Sequence, residues 1–597
     1  MTSAAEHAAW TWRDAFIAFG CCLVLTLIAF GRSLWQDFSP IDDGYLILQN
    51  LAVRGPTWEH LKTIFTTYDP ELYIPLTLFS FQSDYLVAGL SPAMFHATNL
   101  LLHTLNAMLV AWLLLQLTGR KGLALFAALL FAVHPLHTEA VVWAAGRKDV
   151  LSTFFYLLAL LSYILYRDIS LMRQRRQTRH MMEGTATPLS PLSRLSPAYP
   201  VYVLSLALFA LALLSKAMAL TLPAVLILLD LLIDRRKIDA RFFVDKIPYV
   251  ILSVIFFVVA AAGKERILAS STLWETALMA GKSTLFYLTK FLFPFGLTVY
   301  YPHNGPIGIS DPQFLWPAIV VVILASFTIW AWKRWPRIAF GLLFFAVTLS
   351  PTFFNFHKGE LLFFAVDRYA YLPSVGLLFL VCLFVLWLRE KDLHEGLLQL
   401  IGAALLVGAV SLSIVQTRFW DGPEQLFARA LKLYPESLPA RLDLADTMLG
   451  QGRTQESFAL LQEGLKHSQH PQLYMAAGFT YARVGQLDEA RAQFARAKEL
   501  APQNPEPLFA LGSLEEQSGK LDAALPLYTQ AVAMDESYVG ARLGIARLAL
   551  AKNDLAAAEI QLAEALRWNS NSIDGHVLAA QFALKQKRSD DAAMHLD

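Results

Sequence analysis

Up to about Arg418 the chain alternates apolar runs of about 17–24 residues with short polar gaps, and this rhythm constrains the fold more than any other feature. Runs of that length match a hydrocarbon layer of roughly 30 Å. A bundle of membrane helices is therefore predicted. After Arg418 the sequence becomes amphipathic and rich in Ala, Leu, Gln and Glu, which predicts a soluble helical domain. Hydrophobic residues make up 56% of the 597 positions and charged residues 16%, where a soluble protein carries roughly a quarter charged. The net charge of +1, with no basic stripe interleaved with aromatics, gives no reason to expect nucleic acid as a partner. Cys21, Cys22 and Cys382 all fall inside apolar runs, as small membrane-packed side chains do, and predict neither a disulfide framework nor a thiol metal site. The first apolar run, about 15–34, lacks a small-residue cleavage site and reads as a retained helix.

Eleven spans are predicted, near 14–34, 94–117, 122–138, 149–166, 200–215, 217–233, 246–262, 314–332, 338–353, 370–388 and 396–416. The basic gaps (Arg120-Lys121, Arg167 to Arg194, Arg235-Arg236-Lys237, Lys333 to Arg337 and Arg389 to Lys391) then share the cytoplasmic side, with the N-terminus inside. Residues 276–296 would make a twelfth run, but they carry Lys282 and Lys290 and end in Pro294, which suits a helix lying in the interface. On this count the outer loops are 35–93, 134–149, 263–313 and 354–369, and everything after Phe419 is outside as well. The segment 167–199, with many Arg, Ser and Pro, reads as a disordered cytoplasmic insertion.

From about Pro435 the sequence repeats every 34 residues or so. A turn position recurs at Gly452, Gly485, Gly519, Asn553 and Lys587, and a small residue opens each second helix at Ser457, Ala490, Ala524, Ala558 and Ala592. The unit 471–504 carries Tyr474, Gly478, Tyr481, Gly485, Ala490, Phe494, Ala497 and Pro502 in the tetratricopeptide register. Such arrays stack into a solenoid with a concave face. Tyr474, Tyr481 and Phe494 are candidates for recruiting a protein or peptide, and a rigid spacer or dimerisation surface is the alternative.

Charged groups in or beside spans are costly, so each is a candidate functional group. Just past the first span stands Pro40-Ile41-Asp42-Asp43-Gly44-Tyr45. In a turn, both carboxylates can face one cleft, one as general base and the other orienting it; an Asp-Asp pair is also an ordinary helix cap. The second span carries His96, Asn99, His103 and Asn106 on one helical face. Hydrogen-bonded helix packing accounts for His103 and Asn106, while His96 and Asn99 near the outer end are placed to line a site. After the third span come His134, His137 and Glu139, then Arg147-Lys148-Asp149. Pro135 breaks the helix that would align these histidines, so no metal site is expected. Arg147, Lys148, Lys216 and Arg368 all fall at the outer boundary, flanked by Asp367 and Tyr369. Snorkelling to the headgroups explains any one of them; four on one face suit an anionic ligand.

The segments Asp42-Asp43-Gly44, FHATNLLLHTLNA (95–107), FAVHPLHTEAVVWAAGRKDVLS (131–152), LLSKAMALTLPAVLILLD (213–230) and DRYAYLPSVGL (367–377), with Trp420 before the repeats, occur in family order along the chain. In them the chain resembles bacterial relatives of the transmembrane and tetratricopeptide-repeat-containing proteins, which are C-type glycosyltransferases. The resemblance implies an all-α fold, with a transmembrane domain over 1–419 and a repeat domain over 420–597. It implies an inverting enzyme that moves a monosaccharide, mannose in the characterised branch, from a polyprenyl-phosphate carrier to Ser or Thr hydroxyls of proteins outside the cytoplasm. No cofactor is implied, and membrane lipids surround the bundle. The setting is a bacterial inner membrane with the repeats on the periplasmic side. Asp42 or Asp43 would be the base, and Arg147, Lys148, Lys216 and Arg368 would hold the donor phosphate. His96, Asn99, His134, His137, Glu139, Asp367 and Tyr369 would line the site. One departure is Ile74, where relatives commonly carry a basic residue. Two other readings fit the same architecture: a lipid or glycan acceptor, and a non-catalytic scaffold for envelope assembly.

Overall fold

The computed structural model describes residues 10–68, 72–182, 198–236, 238–264, 272–358, 361–569 and 572–596. It divides into one unit of Met1–Asp43 with Val53–Gly422 and a second of Gly44–Ala52 with Pro423–Asp597.

The first unit is a helical bundle. Among the described residues, seven helices are long and apolar enough to cross a membrane: Trp12–Trp35, Pro92–Thr118, Ala144–Met172, Phe242–Gly263, Pro312–Arg334, Pro336–Phe354 and Glu395–Arg418. An eighth is counted if Lys121–Val133 and Pro135–Val142, bent by 52° at His134, are one span. Pro135 causes that bend, because its ring and missing N–H end the helix before it. The difference from eleven lies in short elements. Tyr199–Ser215 and Ala217–Ile233 are apolar but interrupted at Lys216, and Ser374–Glu390 has 17 residues. Pro92–Thr118 and Ala144–Met172 are mostly buried, whereas Pro312–Arg334 and Glu395–Arg418 leave most of their apolar surface uncovered. Side chains such as Ile329 and Leu400 on those outer helices suit lipid as the surrounding solvent.

Residues 276–296 fall on the helix Leu273–Leu292, started by a Thr272–Glu275 capping box. It is not among the helices apolar enough to span. The all-helical expectation misses one small sheet. Tyr301–Pro302 and His357–Lys358 both pair antiparallel with Leu361–Ala365, which lies between them. The expected disordered insertion is corrected over its first part. The helix from Arg147 runs on to Met182, with Arg167 paired to Asp234. Residues 183–197 lie outside the described set.

The second unit is a solenoid. After Pro423–Leu433, helix pairs follow at Leu438–Gly450/Thr454–His467, Pro471–Arg483/Leu487–Leu500, Glu506–Gln517/Leu521–Met534, Val539–Ala551/Leu555–Trp568 and Ile573–Lys585/Ser589–Leu596. Gly452, Gly485, Gly519, Asn553 and Lys587 all adopt φ between 61° and 81°, the left-handed conformation that ends each first helix. Ser457, Ala490, Ala524, Ala558 and Ala592 are all buried where the paired helices meet.

Candidate functional site

The loop after the first helix is anchored before it reaches Asp42. Arg32 pairs with Asp421 at 2.6 Å, and Gln36 Nε2 donates to Asp421 Oδ1 at 2.8 Å and to the Thr417 carbonyl at 3.0 Å. Trp143 Nε1 donates to the Ile41 carbonyl at 3.1 Å. Asp42 then takes φ +51°, a left-handed conformation that Asp tolerates better than most side chains. This turn separates the two carboxylates. Asp43 is fully buried: its Oδ2 accepts from the Ser39 N–H and its Oδ1 from the Ala145 N–H, both at 2.8 Å. Burial pushes its pKa up to about 8, against the pull of those two bonds. Asp42 stays 24% exposed and pairs with Lys148 Nζ at 3.0 Å.

Trp143 is the centre of the cluster. Lys148 Nζ lies 4.7 Å and Arg368 Cζ 4.9 Å from its ring centroid, and Trp420 stacks against it at 6.4 Å. A β-carbon on Gly146 would come within 2.5 Å of the Ala140 carbonyl oxygen, so this turn accepts only glycine there. Arg368 is ion-paired with Glu139, whose Oε2 also accepts the Arg368 N–H at 3.0 Å. Lys216 is paired with Asp149. The Tyr369 ring stands between two cations, with Lys216 Nζ at 5.2 Å and Arg368 Cζ at 5.3 Å. Lys148, Lys216 and Arg368 thus gather near Trp143 and Tyr369, each with its own carboxylate: Asp42, Asp149 and Glu139. Asp367 lies deeper, accepting from the Tyr301 hydroxyl at 2.7 Å. Burial and the neighbouring Glu139 push its carboxyl pKa up.

The fourth expected cation is elsewhere. Arg147 is wholly buried, donating to Asp84 Oδ2 at 2.7 Å, the Phe95 carbonyl at 2.8 Å, Ser80 Oγ at 3.1 Å and Asn99 Oδ1. Its guanidinium is committed to the protein, which corrects the expectation of a donor-phosphate contact. Several site-lining expectations change in the same way. Asn99 braces the turn through the Trp143 carbonyl at 2.8 Å. His134 stacks on Phe291 and contacts its carbonyl at 3.0 Å. His137 bridges the Phe131 carbonyl and Ser374 Oγ at 2.9 and 3.0 Å. His96 is buried as well, but neither of its ring nitrogens has a hydrogen-bond partner among the described residues. Asn99, His134 and His137 hold the bundle together. His103 and Asn106 do so too, meeting at the Tyr371 hydroxyl. Among the described residues, no group of three or more His, Cys, Asp or Glu side chains is arranged to hold a metal ion. Trp143 and Asp149 are members of the cluster that the sequence reading did not single out, although both stand in the quoted run 131–152.

In the repeats, Phe494 is 1% exposed and fills the space opposite Gly478. Tyr474 and Tyr481 pack on the same core. Phe494 is therefore packing between helices rather than an open contact surface, whereas Tyr474 and Tyr481 are only partly buried. An open groove lies further on, lined by Leu562, Leu566 and Phe582 with Arg588, Asp591 and His595 at its rim.

Tetratricopeptide-repeat family models match residues 469–537 and 516–582. The solenoid is a tetratricopeptide-repeat array. Similarity to curated proteins points to the protein O-mannosyl-transferases. Protein O-mannosyl-transferase TMTC1 of Mus musculus is 37% identical over 159 residues, covering 25% of this chain and 16% of the relative. The Homo sapiens TMTC1 is 37% identical over 160 residues, covering 25% and 17%. The Xenopus laevis tmtc2 is 38% identical over 148 residues, covering 24% and 18%. The chain thus spans less than a fifth of the length of these relatives. The similarity to the TMTC proteins covers about a quarter of a chain that joins a membrane bundle to tetratricopeptide repeats. Among solved structures, the TPR protein YrrB is 20% identical, covering 29% of this chain and 90% of that one, with a TM-score of 0.22. Pseudomonas aeruginosa pilF is 17% identical, covering 33% and 86%, with a TM-score of 0.25.

Proposed function

We propose that the chain is an inverting membrane glycosyltransferase that moves a monosaccharide, mannose by analogy with its relatives' names, from a polyprenyl-phosphate carrier to a Ser or Thr hydroxyl of a protein. The observation that carries this reading is the partly exposed Asp42 carboxylate beside Lys148, with Lys216 and Arg368 around the same two aromatic rings. Asp42 takes the proton of the acceptor hydroxyl as its oxygen bonds to the anomeric carbon on the face opposite the phosphate. The bond from that carbon to the phosphate oxygen breaks, and its electron pair stays on the leaving polyprenyl phosphate. The charge growing there is met by Lys148, Lys216 and Arg368. Asp43, with both oxygens holding backbone N–H groups, fixes the turn that presents Asp42.

In this reading eleven segments cross a bacterial inner membrane, the helix Leu273–Leu292 lies in the outer interface, and the site and repeats share the periplasmic side. The repeats recruit the acceptor protein. Mass spectrometry of envelope proteins from cells with and without the chain tests the activity. A hexose-sized modification lost from Ser or Thr in its absence supports the reading; an unchanged set of glycosylated proteins refutes it.

A further inference from the structure

Asp149 stands out within the cluster. Its Oδ1 receives Lys216, but its Oδ2 is buried and has no hydrogen-bond partner among the described residues. An unpaired buried carboxylate oxygen is costly, and more so because the group is charged. Lys216 occupies the other oxygen, and Arg368 turns its Nη1 and backbone N–H to Glu139, leaving its Nε without a partner among the described residues. Asp149 belongs to the cation cluster through Lys216, whose Nζ also stands 5.2 Å from the Tyr369 ring centroid.

An acceptor-only oxygen is completed by a hydrogen-bond donor. A polyprenyl-phosphate sugar has three parts. The isoprenoid tail has no donor, and the bridging phosphate has none at neutral pH. Only the sugar brings O–H groups, and its hydroxyls next to the anomeric carbon lie within a few ångströms of the phosphate that the cations would hold.

We infer that Asp149 is a sugar-binding, specificity-determining residue, whose Oδ2 accepts a hydroxyl of the donor monosaccharide while its Oδ1 keeps Lys216 beside the phosphate. This rests on the glycosyltransferase reading above. The recognition separates a sugar-loaded carrier from a spent one: both offer phosphate to Lys148, Lys216 and Arg368, and only the loaded carrier satisfies Asp149. The polyprenyl phosphate left after transfer carries no sugar hydroxyl for this oxygen.

The test compares binding of undecaprenyl-phosphate-linked mannose and of sugar-free undecaprenyl phosphate to the full chain in detergent. Asp149→Asn should weaken the sugar-linked carrier about tenfold to a hundredfold, as loss of a hydrogen bond to a charged group does, and leave the sugar-free carrier within about threefold. Lys216→Gln should weaken both alike. A readout that needs no variant uses monodeoxy mannose carriers on the wild-type chain. One of them should bind as poorly as the parent carrier binds Asp149→Asn, and that carrier should be indifferent to the substitution. Equal loss of both carriers in Asp149→Asn would make Asp149 a positioning partner of Lys216 alone and overturn the inference. Deoxy carriers that all bind the wild type like the parent would overturn it too. A wild-type chain that binds neither carrier would refute the glycosyltransferase reading itself.

Discussion

At the scale of single residues, two adjacent aspartates have divided their work. The left-handed φ of Asp42 turns its carboxylate towards Lys148 and the surface, while Asp43 points inward onto two backbone N–H groups. The division has a pH signature. An Asp carboxyl in the unfolded chain titrates near 4, whereas Asp43 is held up to about 8 by burial. Between those values the folded state binds a proton the unfolded state has lost. The contribution is therefore complete below about pH 4 and is lost as the pH rises through about 8. Thermal melts of the full chain over that window should show stability falling with pH, and Asp43→Asn should flatten the slope. An unchanged slope would mean that Asp43 is not the group responsible. Arg147 makes the opposite kind of prediction. Replacing it by Ala strands the buried Asp84 and should cost about 3–5 kcal/mol in stability, visible as a marked drop in Tm. Were it a phosphate contact, the loss would fall on donor affinity instead. The split between these neighbours was not legible in the sequence. It depends on the Ala145 N–H, 102 residues from Asp43, and on Asp84, 63 residues from Arg147.

At the scale of elements, what could be read depended on whether local chemistry alone decides the outcome. The five turn positions of the repeats were legible because a positive φ favours glycine and tolerates Asn, whatever surrounds it. Asn553 at φ 61° and Lys587 at φ 63° carry the strain of a side chain there. Asn553→Gly and Lys587→Gly should each stabilise the repeats, by about 1 kcal/mol for lysine and less for asparagine, read as a rise in the repeat melting transition. A fall in that transition for either variant would contradict the turn assignment. Aromatic positions were less legible, since Phe494 fits both a binding face and a core; only its place against Gly478 decides. The membrane helices show the same limit. Apolar length identified the long spans, but Pro135 breaks the run 122–138 that hydropathy counts as whole. The small sheet at Leu361–Ala365 pairs strands from separate loops, and no local period announces it.

At the scale of the whole molecule, the proposal joins a membrane site to an acceptor-recruiting array. Removing 436–597 should therefore impair transfer to protein acceptors more than transfer to a short hydroxyl peptide, and equal impairment would remove the recruiting role. Single cysteines in the repeats should be labelled by a membrane-impermeant reagent from the periplasm; labelling only after the cytoplasm is opened would contradict the eleven-span topology. The central claim is that Asp42 is the base of a sugar transfer. It is tested most directly by measuring single-turnover transfer from a polyprenyl-phosphate-linked sugar by the purified full chain and by its Asp42→Asn variant. The expected result is a loss of about 10²- to 10⁴-fold in the transfer rate, with donor binding and Tm little changed. A variant that transfers sugar at the wild-type rate would contradict the account.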